Sequence, residues 1–213
     1  MKKVTVLFIL MLFSCQEKEK QFQDEKNVFF VDSLYTRFWF DIDLHNGVRQ
    51  EAEVYISKQN DTILNQFKQF KFNVLDTLVS HYYDLEIKKT DIPNVYRGKI
   101  TLHSKFENLK PNNKNIRVLE FNYLEQSKDS IWRSNIKSKK NTIEFKFQNF
   151  YEKKLSGMIY EYVKIEREKT FKVNQMRLLI DTHKISDNIF LSSAGFNKNN
   201  LSKELKLKLV SKK

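Results

Sequence analysis

Cysteine is nearly absent from this chain of 213 residues, since Cys15 is the only one. A single thiol cannot form an intramolecular disulfide, and it cannot supply the cysteine ligands of a structural zinc site. The four histidines, His45, His81, His103 and His183, show no His-x-His or His-x-x-x-His spacing. The sequence therefore predicts neither a disulfide scaffold nor a metal site, and we expect no cofactor.

Glycine, proline and alanine are also scarce. The chain has four glycines and two prolines, and its alanines are Ala52 and Ala194. Glycine-rich phosphate loops and Gly-x-Ser-x-Gly nucleophile elbows need closely spaced glycines, and neither motif is present. Lysine, asparagine, isoleucine and phenylalanine are abundant instead, a bias that resembles the AT-rich genomes of Flavobacterium-like bacteria.

The first fifteen residues have the pattern of an export signal. Met1–Lys3 is basic, Val4–Phe13 is a mostly apolar run, and Cys15 follows almost at once. Such a run is typical of a secretory signal and is shorter than the roughly 20 residues that span a bilayer. Leu12-Phe13-Ser14-Cys15 resembles the lipobox of bacterial lipoproteins, which implies that residues 1–14 are removed and that Cys15 is acylated. The alternative is an ordinary cleaved signal.

A lipidated Cys15 would place the protein on a membrane of the cell envelope. One acyl chain binds weakly, at ~10⁴ M⁻¹, whereas two or more anchor a protein stably. We expect the outer membrane, with the protein facing the periplasm or the surface. Residues 15–27 form a polar tether, which resembles the acidic segment of surface-exported lipoproteins of the Bacteroidota. Residues 28–213 then form the envelope domain.

The formal net charge is +12, but the lysines are dispersed. Short runs such as Lys137–Lys140 are not accompanied by any nucleic-acid-binding motif. An envelope location also argues against a genomic partner, so we expect no nucleic acid. A hydrophobic content of 40% is sufficient for a packed core.

Apolar and polar residues alternate along most of the chain, as in half-buried strands. In 36–44, Phe38, Phe40 and Ile42 share one face. The same period recurs at 52–56, 70–74, 83–87, 100–102, 119–123, 143–147, 159–165, 176–180 and 205–209. The pattern predicts an all-β chain, an antiparallel β-sandwich or barrel-like domain of about ten short strands.

Two segments leave alternatives open. In Lys58–Val74 the apolar residues have nearly helical spacing, so one helix is the alternative to strands there. Glu107–Asn115 is the most loop-like segment, and it would be the boundary if residues 28–213 formed two small β domains.

Four tripeptides contain aspartate, then serine or threonine, then a branched aliphatic residue. They are Asp32–Leu34, Asp61–Ile63, Asp76–Leu78 and Asp129–Ile131. They resemble the O-glycosylation acceptor of exported Bacteroidota proteins, which implies sugars on Ser33, Thr62, Thr77 and Ser130. The structural alternative is a turn-to-strand junction, where aspartate followed by serine or threonine is common.

Trp39 and Trp132 are the remaining candidates for ligand contacts, because both stand among polar residues. Exposed aromatic side chains can stack on sugars or anchor a protein partner. With no catalytic motif, the sequence predicts a non-enzymatic binding or accessory module for another envelope protein or glycan. The alternative is an envelope hydrolase or glycan-processing enzyme with active-site residues dispersed over several strands.

Overall fold

The computed structural model describes residues 34–58, 61–150, 154–168 and 170–193, and this part of the chain is nearly all β. The all-β prediction is therefore confirmed. The described strands are β1 Tyr35–Asp43, β2 Val48–Ser57, β3 Thr62–Lys71, β4 Val74–Leu75, β5 Tyr82–Lys89, β6 Val95–His103, β7 Asn115–Gln126, β8 Ile131–Ser138, β9 Thr142–Gln148, β10 Ser156–Arg167, β11 Thr170–Asp181 and β12 Ile185–Ser186. One short helix, α1, covers Phe190–Ser193. The strand expected at 205–209 lies outside the described residues.

The described strands form three antiparallel sheets. Sheet I has the order β12-β1-β2-β3-β4, sheet II the order β11-β10-β7-β8, and sheet III the order β5-β6-β9. Each sheet has two edge strands and is therefore open. This arrangement is consistent with the β-sandwich expected from the sequence.

The main core lies between sheets II and III. Strand β9 shows most directly how the alternating sequence builds this core. Ile143, Phe145 and Phe147 are buried, while Glu144 and Lys146 are exposed. The buried side chains of this core are Tyr83, Ile100, Leu102, Leu119, Phe121, Tyr123, Ile143, Phe145, Phe147, Leu155, Ile159, Leu178 and Ile180. Burial of each large apolar side chain contributes roughly 1.5–3 kcal/mol.

Sheet II is covered on both faces near the end of β11. Leu178 and Ile180 belong to the main core, while Leu179 points the other way and packs with Tyr55 of sheet I and Phe190 of α1. A strand that is buried on both faces has a continuous apolar run rather than an alternating one. Sheet I therefore packs against the opposite face of sheet II from sheet III.

The segment with helix-like spacing is the strand β3 with a bulge. The pairing of β2 with β3 shifts between Ala52 and Val54, which face Phe67 and Leu64. Asn65 and Gln66 thus oppose the single residue Glu53. One extra residue in a strand moves its apolar side chains out of the two-residue period, which explains the ambiguous sequence pattern.

The loop before β7 connects layers of one core. Ile100 and Leu102 precede it on β6, Leu119 and Phe121 follow it on β7, and all four lie in the main cluster. Apolar alternation does not predict strand β8, and only the turn-to-strand alternative at Asp129–Ile131 points to its beginning. Strand β8 is an edge strand with one exposed face, and its half-buried face carries Ser134, Ile136 and Ser138, so it has no apolar alternation to detect.

Candidate functional site

A glutamate occupies a core position of β10. Glu161 is paired with Leu119 of β7 and Met176 of β11, so it shares the inner face of sheet II with them. Its residue exposure is only 1%. An ionised carboxylate in an apolar environment is costly unless it is paired and hydrogen-bonded.

Three segments of the chain bring polar groups to this carboxylate, and two of them form hydrogen bonds with it. Arg117 of β7 donates from Nε to Glu161 Oε1 at 2.7 Å, and Ser104, just after β6, donates from its hydroxyl to the same oxygen at 2.9 Å. Arg117 Nη1 donates to the side-chain oxygen of Asn141. Arg117 itself is 2% exposed, so the ion pair is fully buried.

His81 completes the cluster from the other side. Its backbone forms a two-bond bridge with Phe67 of β3, which holds the imidazole at the edge of the core. His81 Nε2 lies 3.6 Å from Glu161 Oε2, which is within ion-pair distance but longer than an ordinary hydrogen bond. The residue is 6% exposed.

Within the described part of the chain, four buried side-chain atoms of this cluster have no hydrogen-bond partner: His81 Nδ1, His81 Nε2, Arg117 Nη2 and Glu161 Oε2. An unsatisfied buried polar atom costs about 1–3 kcal/mol. Buried polar groups in folded proteins normally have partners, so these atoms are candidates to bind a group from outside the protein. We call Ser104, Arg117, Glu161 and His81 the His81–Glu161 cluster.

The His81–Glu161 cluster borders a cavity of about 360 Å³. Its lining residues are Phe67, Leu78, Val79, Ser80, His81, Ser104, Lys105, Phe106, Glu161, Asn174 and Met176. These lining residues come from all three sheets or from the loops that connect their strands. An apolar lining with a few convergent polar groups is typical of small-molecule sites, whose volumes are roughly 300–1,000 Å³.

The surroundings keep Glu161 ionised. Burial alone would raise its pKa, but His81, Arg117 and Ser104 outweigh burial and hold the pKa below the ordinary 4.5. Glu161 therefore offers the cavity a carboxylate oxygen that can only accept hydrogen bonds.

This lowered pKa predicts a pH-dependent stability. Because the folded-state pKa lies below the unfolded one, ionised Glu161 stabilises the fold above about pH 4.5 and stops doing so as the pH falls below that value. Asp181 has the opposite effect on the pH dependence of stability, since burial raises its pKa. We expect the difference in unfolding free energy between the wild type and Glu161→Gln to shrink as the pH drops. Urea titrations at several pH values would measure it, and a constant difference would contradict the assignment.

The cluster lacks the arrangement of a nucleophile and a base. The Ser104 hydroxyl donates to Glu161 and accepts a bond from the Phe106 backbone at 3.2 Å, so it is not directed at His81. A nucleophilic serine needs the base within hydrogen-bond reach. In the described ranges, no group of three or more histidine, cysteine, aspartate or glutamate residues is placed to hold a metal ion.

A second buried polar network has a structural role. Glu53 accepts hydrogen bonds from Arg37 of β1 and from Asn65 and Gln66 of the β3 bulge. Asp181 accepts hydrogen bonds from Tyr55, Ser156, Ser186 and Asn188. No atom of this network is among the unpartnered buried atoms of the described residues. These groups join sheet I to sheet II rather than face a ligand.

A second cavity, of about 450 Å³, lies at the tip of the β1–β2 hairpin. Two of its three charged lining residues, Asp41 and Arg49, form an ion pair at 3.0 Å, and both are part-exposed. Surface pairs of this kind have little energetic consequence. The cavity is therefore a weaker candidate than the one beside Glu161.

The residues predicted to carry modifications fall in different environments. Cys15 and Ser33 lie outside the described residues. Thr77 and Ser130 are exposed, in the turn after β4 and just before β8. Thr62 begins β3 and is buried at 9% exposure, so a sugar there would have to be attached before that strand packs. Glycosylation of these residues stays a prediction.

The two tryptophans lie on different sheets. Trp39 is on β1 of sheet I with 47% exposure, and Trp132 is on β8 of sheet II with 39% exposure. Neither lines either of the two cavities. Their role as ligand contacts stays a prediction.

Sequence reasoning missed the His81–Glu161 cluster, because its members come from four separate segments. A partial signal existed for Glu161 and Arg117, which are charged residues at positions in phase with the apolar core residues of β10 and β7. For His81 and Ser104, which precede β5 and follow β6, the sequence carried no comparable signal.

Comparison with known proteins returned no match to a family model, to a curated protein or to a solved structure. Among the described residues, no helix is long and apolar enough to cross a membrane.

Proposed function

We propose that this protein is a lipid-anchored component of the cell envelope, held at the outer membrane by an acylated Cys15. Its β-rich domain acts as a non-enzymatic binding module for another envelope component. The observation that supports binding is the set of unpartnered buried atoms of His81 and Glu161 at the wall of the cavity.

Binding is favoured over catalysis by the way in which the cluster is bonded. The single carboxylate is tied to Arg117 and Ser104, which hold it in place and ionised. A general acid would instead need a proton at working pH, with its pKa near that pH. Glu161 is thus suited to accept hydrogen bonds from a ligand.

A hydrolase or glycan-processing enzyme is the second candidate. It is favoured by the approach of His81 to Glu161 at 3.6 Å beside a cavity, because a histidine near a carboxylate can act as a general base. Turnover of an envelope glycan by the purified protein that is lost in His81→Gln would select this candidate.

The anchor makes a direct prediction. Cys15→Ser should move the protein from the membrane fraction to the soluble fraction, because the serine hydroxyl is not a substrate for lipidation. Lys18→Ser, a change in the same tether, is the matched control and should leave the protein in the membrane fraction. Continued membrane association of Cys15→Ser would contradict the lipid anchor.

The binding role is tested by chemical crosslinking in intact cells, followed by purification through a C-terminal tag and mass spectrometry. One stoichiometric envelope protein or glycan adduct is the expected result. The recovery of only random neighbours, in proportion to their abundance, would contradict a binding module.

A further inference from the structure

We infer that the cavity beside the His81–Glu161 cluster takes a neutral ligand rich in hydroxyl groups, a sugar ring of an envelope glycan, in preference to an anion or a cation. This inference rests on the proposed binding function and specifies its ligand class. It follows from the hydrogen-bonding capacity, the charge and the lining of the cavity.

The free atoms at the cavity wall require both donors and acceptors from the ligand. Glu161 Oε2 can only accept, while the imidazole of His81 has two unpartnered nitrogens, of which at least one donates. A hydroxyl group both donates and accepts. A carboxylate can only accept and an ammonium group can only donate, so each leaves part of this wall unsatisfied.

The charges around the cavity disfavour ions of either sign. An anion would approach the free oxygen of Glu161, which is ionised and buried. A cation would meet the ammonium group of Lys105 at the cavity lining, and the charge of Glu161 is already balanced by Arg117. A neutral ligand avoids both repulsions and leaves the buried Arg117–Glu161 pair intact.

The rest of the lining suits the carbon-bound hydrogens of a sugar ring. Phe67, Phe106 and Met176, with Leu78 and Val79 near the surface, form the apolar part of the lining. At ~30 Å³ per water, the cavity has room for about twelve water molecules. That is more than the few needed to satisfy the four free atoms, so a larger group than an ordered water fits.

The test uses the full lipidated chain in a detergent without a sugar headgroup, such as lauryldimethylamine oxide. Saturation-transfer NMR is recorded with glucose, galactose, mannose and N-acetylglucosamine, while inorganic phosphate and putrescine serve as the anionic and cationic probes. At least one sugar should show saturable binding, and neither ion should compete with it.

Two valines provide a matched pair of variants. Val79 lines the cavity and is partly exposed, so Val79→Trp should fill the site and weaken sugar binding at least tenfold without disturbing the core. Val74, on β4, is exposed and does not line this cavity, so Val74→Trp should bind as the wild type does. Glu161→Gln should also weaken binding, with circular dichroism as the check on folding.

The outcomes separate the ligand class from the binding function. Binding of phosphate or putrescine but not of sugars, no binding of any probe, or sugar binding that survives Val79→Trp would each overturn the sugar site. In those cases a specific crosslinked partner in cells would still support a binding module. Hydrolysis of a glycan would instead overturn the non-enzymatic function while leaving sugar recognition in place.

Discussion

Replacing Arg117 with leucine should lower the free energy of unfolding by about 3–5 kcal/mol, because it breaks a buried ion pair from one side. Glu161 would keep the Ser104 hydroxyl but would lose its bond to the Arg117 Nε, which is 2.7 Å long. With 1% exposure, the carboxylate cannot recover the loss from bulk water. Asn141 would also lose the guanidinium that donates to its side-chain oxygen.

Urea unfolding followed by circular dichroism measures this loss. The double variant Arg117→Leu/Glu161→Leu should recover much of it, since replacing both buried charges with apolar groups is often neutral or stabilising. Arg97→Leu on the exposed side of β6 is the matched control and should change stability by no more than about 0.5 kcal/mol. If the double variant were as unstable as the sum of the single variants, the two residues would not act as a pair.

Replacing Asn65 with alanine should lower the free energy of unfolding by about 2–5 kcal/mol, because it leaves several buried groups without partners. The Asn65 amide donates to the Leu179 carbonyl at 2.9 Å and accepts from the Leu179 N–H at 2.7 Å. It also donates to Glu53 at 2.7 Å. The side chain therefore pairs with β11 as a neighbouring strand would, and it connects sheet I to sheet II.

The specific role of the amide can be tested with two further variants. Asn65→Asp keeps the shape but removes the donor and places a second carboxylate beside Glu53, so it should be at least as damaging as alanine. Asn108→Ala, in the exposed loop before β7, should be close to neutral. Hydrogen exchange should show faster exchange of the Leu179 amide in Asn65→Ala. An Asn65→Asp variant as stable as the wild type would show that the donated bonds are unimportant.

The strands with clear alternation were predictable because side-chain direction in a strand depends only on position. Strand β9 is an example, with every second residue in the core. Prediction was incomplete at β3, where the bulge opposite Glu53 interrupts the period. The alternation gave no signal at β8, an edge strand whose half-buried face carries two serines beside Ile136.

Two glycines show a constraint that sequence patterns do not reveal. A Cβ atom at Gly157 would lie 2.7 Å from the Asn122 carbonyl oxygen and 2.6 Å from the Phe121 ring. At Gly98, a Cβ would collide with the ring of Phe145 on the neighbouring strand. Glycine is therefore needed at these places by the packing of particular aromatic rings, and those rings meet the glycines only in the folded sheets.

From its sequence alone, this protein was predicted to be a β protein with an export signal and a lipidation motif, because these properties are encoded in short, contiguous patterns. Only the tertiary structure decided that His81, Ser104 and Glu161 line one cavity, with Arg117 paired to Glu161 behind them. Their meeting depends on the order of strands within the sheets and on the packing of one sheet against another. Those contacts join residues far apart in the chain, and a local period contains no information about which distant strands become neighbours.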